Sequence, residues 1–178
     1  MKSPQFKLFL LVTVIVAALD LGTKAWVEQV LSNTPDRTLW VWQPWVELTL
    51  AYNQGTAFSM VRDLGLLRVI FGVFSLAVVA LLAWGVLRGK GDRWEVAAYG
   101  LLAAGAFGNG WDRVFREAPN GGTGVVDFVK VNYPWGGSWP AFNVADAALV
   151  VGVAMIVLRM LTASRGKQPS GNPGSGKA

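Results

Sequence analysis

The sequence has no cysteine and no histidine. The first absence excludes disulfides and thiolate nucleophiles, and the two together exclude zinc sites built on Cys or His. They also exclude any Ser-His-Asp or Cys-His arrangement contributed by this chain alone. Acid–base chemistry, if there is any, must come from Asp, Glu, Lys or Tyr. Charge is scarce as well. Only 15% of the 178 residues are charged and 53% are hydrophobic, with a mean hydropathy of +0.40, whereas a soluble domain carries about a quarter charged residues. The missing charge points to lipid.

The length suits one domain, expected over 1–163 and followed by a polar tail, 164–178, rich in Gly, Ser, Pro and Lys and expected to be disordered. A helix needs about 20 mainly apolar residues to cross a bilayer. Four stretches qualify, at about 6–30, 64–87, 94–111 and 142–161. The first begins after Lys2 and Lys7 like a signal peptide. Its apolar core is long and no small-residue cleavage pattern follows it, so it reads as a retained span. The expected class is therefore an all-α integral membrane protein with four transmembrane helices.

The net charge of +5 does not indicate nucleic acid, because the basic residues cap apolar runs instead of forming a stripe. The positive-inside rule accounts for them. Lys2 and Lys7, then Arg88, Lys90 and Arg93, then Arg159, Arg165, Lys167 and Lys177 mark the cytoplasmic side, and both termini fall there. Segments 31–63 and 112–141 then face outward, despite Arg37, Arg62, Arg113, Arg116 and Lys130. Seven tryptophans (Trp26, Trp40, Trp42, Trp45, Trp111, Trp135 and Trp139) gather near that outer interface. In the first outer segment, 39–42 and 46–50 read as short strands broken at Gln43-Pro44. Val46, Leu48, Leu50 and Tyr52 alternate with Glu47, Thr49, Ala51 and Asn53, and such a hairpin would rest one face on lipid.

Ionisable residues at membrane depth are costly and are functional candidates by default. Five strings hold nearly all of them: Asp20-Leu-Gly-Thr-Lys24, Asn53-Gln-Gly-Thr-Ala-Phe58, Gly108-Asn-Gly-Trp-Asp-Arg113, Val125-Val-Asp127-Phe and Phe142-Asn-Val-Ala-Asp146. All five map to the outer face. Asp20 and Lys24, spaced i, i+4, form either a structural ion pair or a device in which Lys24 orients a carbonyl or a carboxylate. Asn53 and Gly55 make a turn or touch substrate, and Asn109, Asp112 and Arg113 either support the site or belong to it. Gly105 and Gly108, with Ala104, would let another helix approach closely.

Asp127 follows Gly-Gly-Thr-Gly in an extended segment whose apolar neighbours draw it toward an apolar surface. Asn143 reads as an N-cap, which makes Asp146 the third helical residue, a position that favours an acid whether or not it has a further role. Two carboxylates held close share a proton, one acting as base on a water and the other as acid. That chemistry suits peptide hydrolysis in a chain without His or Cys.

Together and in this order, the five strings resemble the bacterial lipoprotein signal peptidases, also called signal peptidase II. The resemblance covers nearly the whole chain up to the tail. It implies four transmembrane helices with a small extracytoplasmic β-cradle and an outer loop extension. It implies removal of the signal peptide from a prolipoprotein, by cleavage just before a diacylglyceryl-modified cysteine. Asp127 and Asp146 match the family's catalytic pair. Asp20, Lys24, Asn53, Gly55, Asn109, Asp112, Arg113 and Asn143 match its supporting or substrate-contacting positions. The same resemblance implies no cofactor or metal, membrane lipids as surroundings, globomycin as an inhibitor, a monomer, and residence in the bacterial inner membrane with the active site outside. Ala104 departs from the pattern, standing where a glycine is expected, though Ala still permits close packing. The Gly-rich stretch 120–124 is expected to hinge as a lid.

Three other classes fit parts of the sequence. A phospho-transferase would use Asp112, Asp127 and Asp146 to hold Mg²⁺. A serine–lysine peptidase would pair Ser59 with Lys24. A small transporter or scaffold fits least, since there is no internal repeat.

Overall fold

The computed structural model describes residues 3–55 and 65–165. Thr56 to Phe58 of the second string, Ser59, Arg62 and the tail from residue 166 lie outside the described residues. The elements are α1 (Pro4–Leu31), β1 (Thr38–Trp42), β2 (Val46–Asn53), α2 (Gly65–Leu87), α3 (Arg93–Phe115), β3 (Val125–Val131) and α4 (Val144–Arg165).

Helix starts follow capping chemistry. Ser3 accepts the Phe6 N–H at 3.3 Å, with Pro4 in the first turn of α1. Asp92 and Glu95 form a reciprocal capping box on α3, with bonds of 2.9–3.0 Å.

Among the described residues, α1, α2 and α4 are the helices long and apolar enough to cross a membrane. Their outward faces carry exposed apolar side chains such as Leu11 and Val14 on α1, Val73 and Phe74 on α2, and Val150 and Met160 on α4. Helix α3 differs because it packs extensively against all three of the others, whereas α1 meets α2 and α4 only slightly. Apart from exposed Trp94, Trp111 and Phe115, most of the α3 surface meets protein, so it needs small residues for close approach more than an apolar surface. Ala98, Ala103 and Ala104 are fully buried. A Cβ added at Gly105 would lie 2.6 Å from the Ala145 carbonyl oxygen of α4, and one at Gly108 would lie 2.2 Å from Asp20 Oδ2 of α1. Polar residues survive inside this helix because neighbouring helices partner them.

The three strands form one antiparallel sheet in the order β1-β2-β3. Strand β2 runs on to Asn53, beyond the 46–50 read from sequence, and so pairs Ala51 with Asp127 and Asn53 with Val125. Period-2 alternation then sorts β3. Val126 and Phe128 pack with Leu50 on Val27 and Leu31 of α1, while Asp127 between them points to the opposite face. Glu47, on the face read as polar, is buried and paired with Lys130 at 2.6 Å, its partner in the strand register. Strand β1 is the open edge, and Trp40, Val41 and Trp42 are all exposed, so both of its faces are uncovered.

Candidate active site

The sheet and the outer ends of α1, α3 and α4 bring four of the five polar strings together, with the described part of the fifth beside them. Asp127 enters from β3 and is 5% exposed. Asp146 enters from the first turn of α4. Asn143 joins them. Its Nδ2 donates to Asp127 Oδ1 at 2.7 Å, and its backbone N–H donates to Asp146 Oδ2 at 3.2 Å.

Each of three asparagines has its oxygen occupied by a donor, which turns its amide nitrogen toward an aspartate. Asn143 Oδ1 accepts the Asp146 N–H at 2.9 Å, the N-cap bond expected from sequence, so Nδ2 faces Asp127. Asn53 Oδ1 accepts the Gly55 N–H at 3.0 Å, so its Nδ2 reaches Asp127 Oδ2 at 3.1 Å. Gly55 makes that turn at φ +74°, in the left-handed region that favours glycine. Asn109 Oδ1 accepts from Lys24 at 3.1 Å and from Asn143 at 3.2 Å, so its Nδ2 donates to Asp146 Oδ1 at 2.8 Å.

Below the aspartates lies a fully buried ionic group. Lys24 Nζ sits 2.8 Å from Asp20 Oδ2 and 3.0 Å from Asp112 Oδ2. Asp20 Oδ1 accepts the Ala145 N–H at 2.9 Å, tying α1 to the start of α4. Asp20 and Lys24 form the expected i, i+4 ion pair, and Lys24 also donates to Asn109, which in turn donates to Asp146. Asp112 Oδ2 further accepts the Val126 N–H at 3.3 Å, which anchors β3 one residue before Asp127. Arg113 is placed elsewhere: its guanidinium lies 4.9 Å over the Phe71 ring of α2.

Burial pushes the Asp127 carboxyl from 3.8 up to about 6, and the charge of Asp146 adds to the rise, while the amides of Asn53 and Asn143 pull it back. Asp127 is thus a carboxyl with a raised pKa that feels the charge of a second carboxyl, Asp146. The metal alternative fares worse. Asp112 is engaged by Lys24, by Arg116 at 2.7 Å and by Val126, and among the described residues no three acidic side chains come together as a cation site. For the serine–lysine alternative, Lys24 is held between two carboxylates.

The family model for Signal peptidase (SPase) II matches residues 12–162. The chain belongs to the signal peptidase II family. It is 36% identical over 167 residues to the lipoprotein signal peptidase of Pseudomonas syringae pv. tomato, covering 88% of this chain and 87% of that one. It is 36% identical over 173 residues to that of Polynucleobacter necessarius, covering 94% and 97%. In structure it resembles a bacterial membrane enzyme solved by the in meso method at 2.3 Å resolution, with a TM-score of 0.71, 25% identity and 92% and 93% of the two chains covered. Membership in the signal peptidase II family makes the chain a protease, with apolar helices and a small antiparallel sheet.

Within this signal peptidase II fold, the sequence reading missed four participants. Arg116 and Glu28 form an ion pair of 2.6 Å, and the Tyr52 hydroxyl donates to Glu28. Glu28 continues the i, i+4 series of Asp20 and Lys24, and Arg116 stands four residues after Asp112, so helical spacing was the available signal. Gln54 has no such signal. Its amide donates to the Gly121 carbonyl at 2.6 Å and accepts from Asn120 at 3.1 Å, so the stretch expected to hinge is tied down beside Asn53.

Proposed function

We propose that this protein is a membrane aspartic endopeptidase that removes the signal peptide from diacylglyceryl-modified prolipoproteins, cutting just before the lipidated cysteine. The observation that carries the reading is Asn143, a single residue hydrogen-bonded to both Asp127 and Asp146. Family membership supports the substrate class, since the relatives are lipoprotein signal peptidases.

In this mechanism a water sits between the two carboxyls. Asp146, which accepts the Asn109 amide and the Asn143 N–H at the start of α4, takes a proton from the water as the oxygen attacks the scissile carbonyl. Asp127, kept protonated by burial, hydrogen-bonds the carbonyl oxygen and stabilises the developing oxyanion. The tetrahedral intermediate then collapses, the C–N bond breaks, and the leaving amine takes a proton from the pair. The acid and the amine are the products, and water is the one co-reactant.

The chain sits in the bacterial inner membrane as a monomer with all four helices crossing, α3 surrounded by the others, and both termini cytoplasmic. The β-sheet and both aspartates then lie at the extracytoplasmic interface, where a diacylglyceryl chain stays in lipid while its cysteine reaches the site. Globomycin would occupy the same place. A lid built on 120–124 would have to release Gln54 before it moved.

Detergent-purified protein, assayed on a diacylglyceryl-modified prolipoprotein with and without chelator, tests this reading. Asp127→Asn and Asp146→Asn should each abolish cleavage while folding normally, and the chelator should have no effect. Full activity in either variant, or loss on chelation, would overturn it.

A further inference from the structure

A second set of charges spans the outer ends of α1, α3 and β2. Arg116, immediately after α3, donates from Nε to Asp112 Oδ1 at 2.7 Å and from Nη1 to Glu28 Oε2 at 2.6 Å. The other oxygen of Glu28 accepts the Tyr52 hydroxyl. None of these three side chains hydrogen-bonds or ion-pairs with Asp127 or Asp146.

Two paths nevertheless lead from Arg116 to the pair, and both pass through Asp112. One runs from Asp112 Oδ2 to the Val126 N–H, next to Asp127. The other runs from Asp112 to Lys24, whose ammonium also holds Asn109, the donor to Asp146. We propose that Glu28 and Arg116 are positioning residues of the peptidase, an ionic brace that fixes Asp112 and through it the separation of the two aspartates. This rests on the reading of Asp127 and Asp146 as the catalytic pair.

Charge balance gives the physical reason. Asp20 and Asp112 are both fully buried and both draw on the single ammonium of Lys24. Arg116 supplies the second cation that Asp112 needs, and its planar fork reaches two carboxylates at once, which a lysine ammonium does with less directional control. Without Arg116, Asp112 would pull harder on Lys24 and draw it from Asn109. The carboxylate would also be free to leave the Val126 N–H. Both shifts act on the placement of Asp127 and Asp146 themselves, so the loss should fall on the turnover step more than on affinity.

The test uses the full chain in detergent with a diacylglyceryl-modified prolipoprotein, and reads kcat and KM per folded molecule for Arg116→Gln, Glu28→Gln, their double variant and Arg116→Lys. Arg116→Gln should lower kcat about tenfold with KM within about twofold, and Glu28→Gln should lower kcat less. The double variant should be no slower than Arg116→Gln alone, because both changes remove one brace. Arg116→Lys should recover part of the loss. Wild-type kcat in either single variant, a change confined to KM, or losses that multiply in the double variant would overturn the brace. If Arg116→Gln does not fold, Glu28→Gln and Tyr52→Phe, at the outer end of the network, decide by the same criteria. Asp127→Asn and Asp146→Asn in the same preparations separate the two readings. Activity in those variants refutes the catalytic pair, whereas their inactivity beside full rates in the brace variants refutes the brace alone.

Discussion

Replacing Gly105 with alanine isolates the role of close helix packing in holding the aspartates. The added Cβ would stand 2.6 Å from both the Ala145 carbonyl oxygen and the Leu149 Cγ, where ordinary contact begins at 3.4 Å. The needed room is about 0.8 Å, the difference between those two distances. A leucine side chain can change rotamer, but a helix carbonyl moves only with its helix. Helix α4 must therefore retreat, carrying Ala145, whose N–H binds Asp20, and Asp146 one residue on. Overpacking of this kind costs about 1–3 kcal/mol, against which Ala regains up to about 1 kcal/mol of helix propensity over Gly. The net loss of stability is about 0–2 kcal/mol, so most of the protein should remain folded. The chemical loss should be larger, because a misplacement near 1 Å costs about 100-fold in rate. Thermal unfolding in detergent, followed by tryptophan fluorescence, and cleavage of a diacylglyceryl-modified prolipoprotein measure the two separately. Gly22→Ala is the control, since nothing lies within 4 Å of its added Cβ; it should keep wild-type activity and melt no lower than the wild type, with up to about 1 kcal/mol of gain from helix propensity. A Gly105→Ala protein within twofold of wild-type activity and unchanged in melting would refute the reasoning.

In the proposed mechanism the raised Asp127 carboxyl should set the alkaline limb of kcat/KM. The acid form is present below about 6 and lost above it, so the profile should fall near pH 6, and a limb close to 3.8 would refute the assignment. Its contribution to folding has the same sign, complete below 3.8 and lost as pH rises through about 6. Asn53→Ala should move the limb upward, because the lost amide favoured the ionised form. Asn143→Ser should keep the cap of α4 and cost less than about 1 kcal/mol of stability, yet remove the amide bonded to Asp127, so cleavage should collapse while melting stays close to wild type. Lys24→Met leaves Asp20 and Asp112 buried without their shared cation and should cost about 3–5 kcal/mol, seen as a large drop in melting temperature.

Much of this protein is legible in one dimension because the controlling physics is local. Runs of apolar residues mark helices whatever else the chain does, and Asn143 three residues before Asp146 marks an N-cap by backbone geometry alone. The strand break at Gln43-Pro44 and the alternation along β2 are equally local. The five polar strings stood out because charge at membrane depth is costly wherever it occurs.

What required the tertiary structure is the arrangement between elements. Nothing along the chain says that α3 would be the helix packed most extensively against the other three, yet that burial is why it tolerates Asn109 and Asp112 with so modest an apolar surface. Register across the sheet, which pairs Ala51 with Asp127, decides that Asp127 faces away from the apolar cluster on α1. Asn143 as the bridge, Asn109 as the link from Lys24 to Asp146, Arg113 resting on Phe71 and Arg116 joining Asp112 to Glu28 all depend on distances between residues far apart in sequence. The sequence determined which residues were too polar for their surroundings, since that is a property of each residue and its neighbours in the chain. The partner each one found was decided only by packing, since a buried charge is satisfied by whichever group the fold brings within about 3 Å.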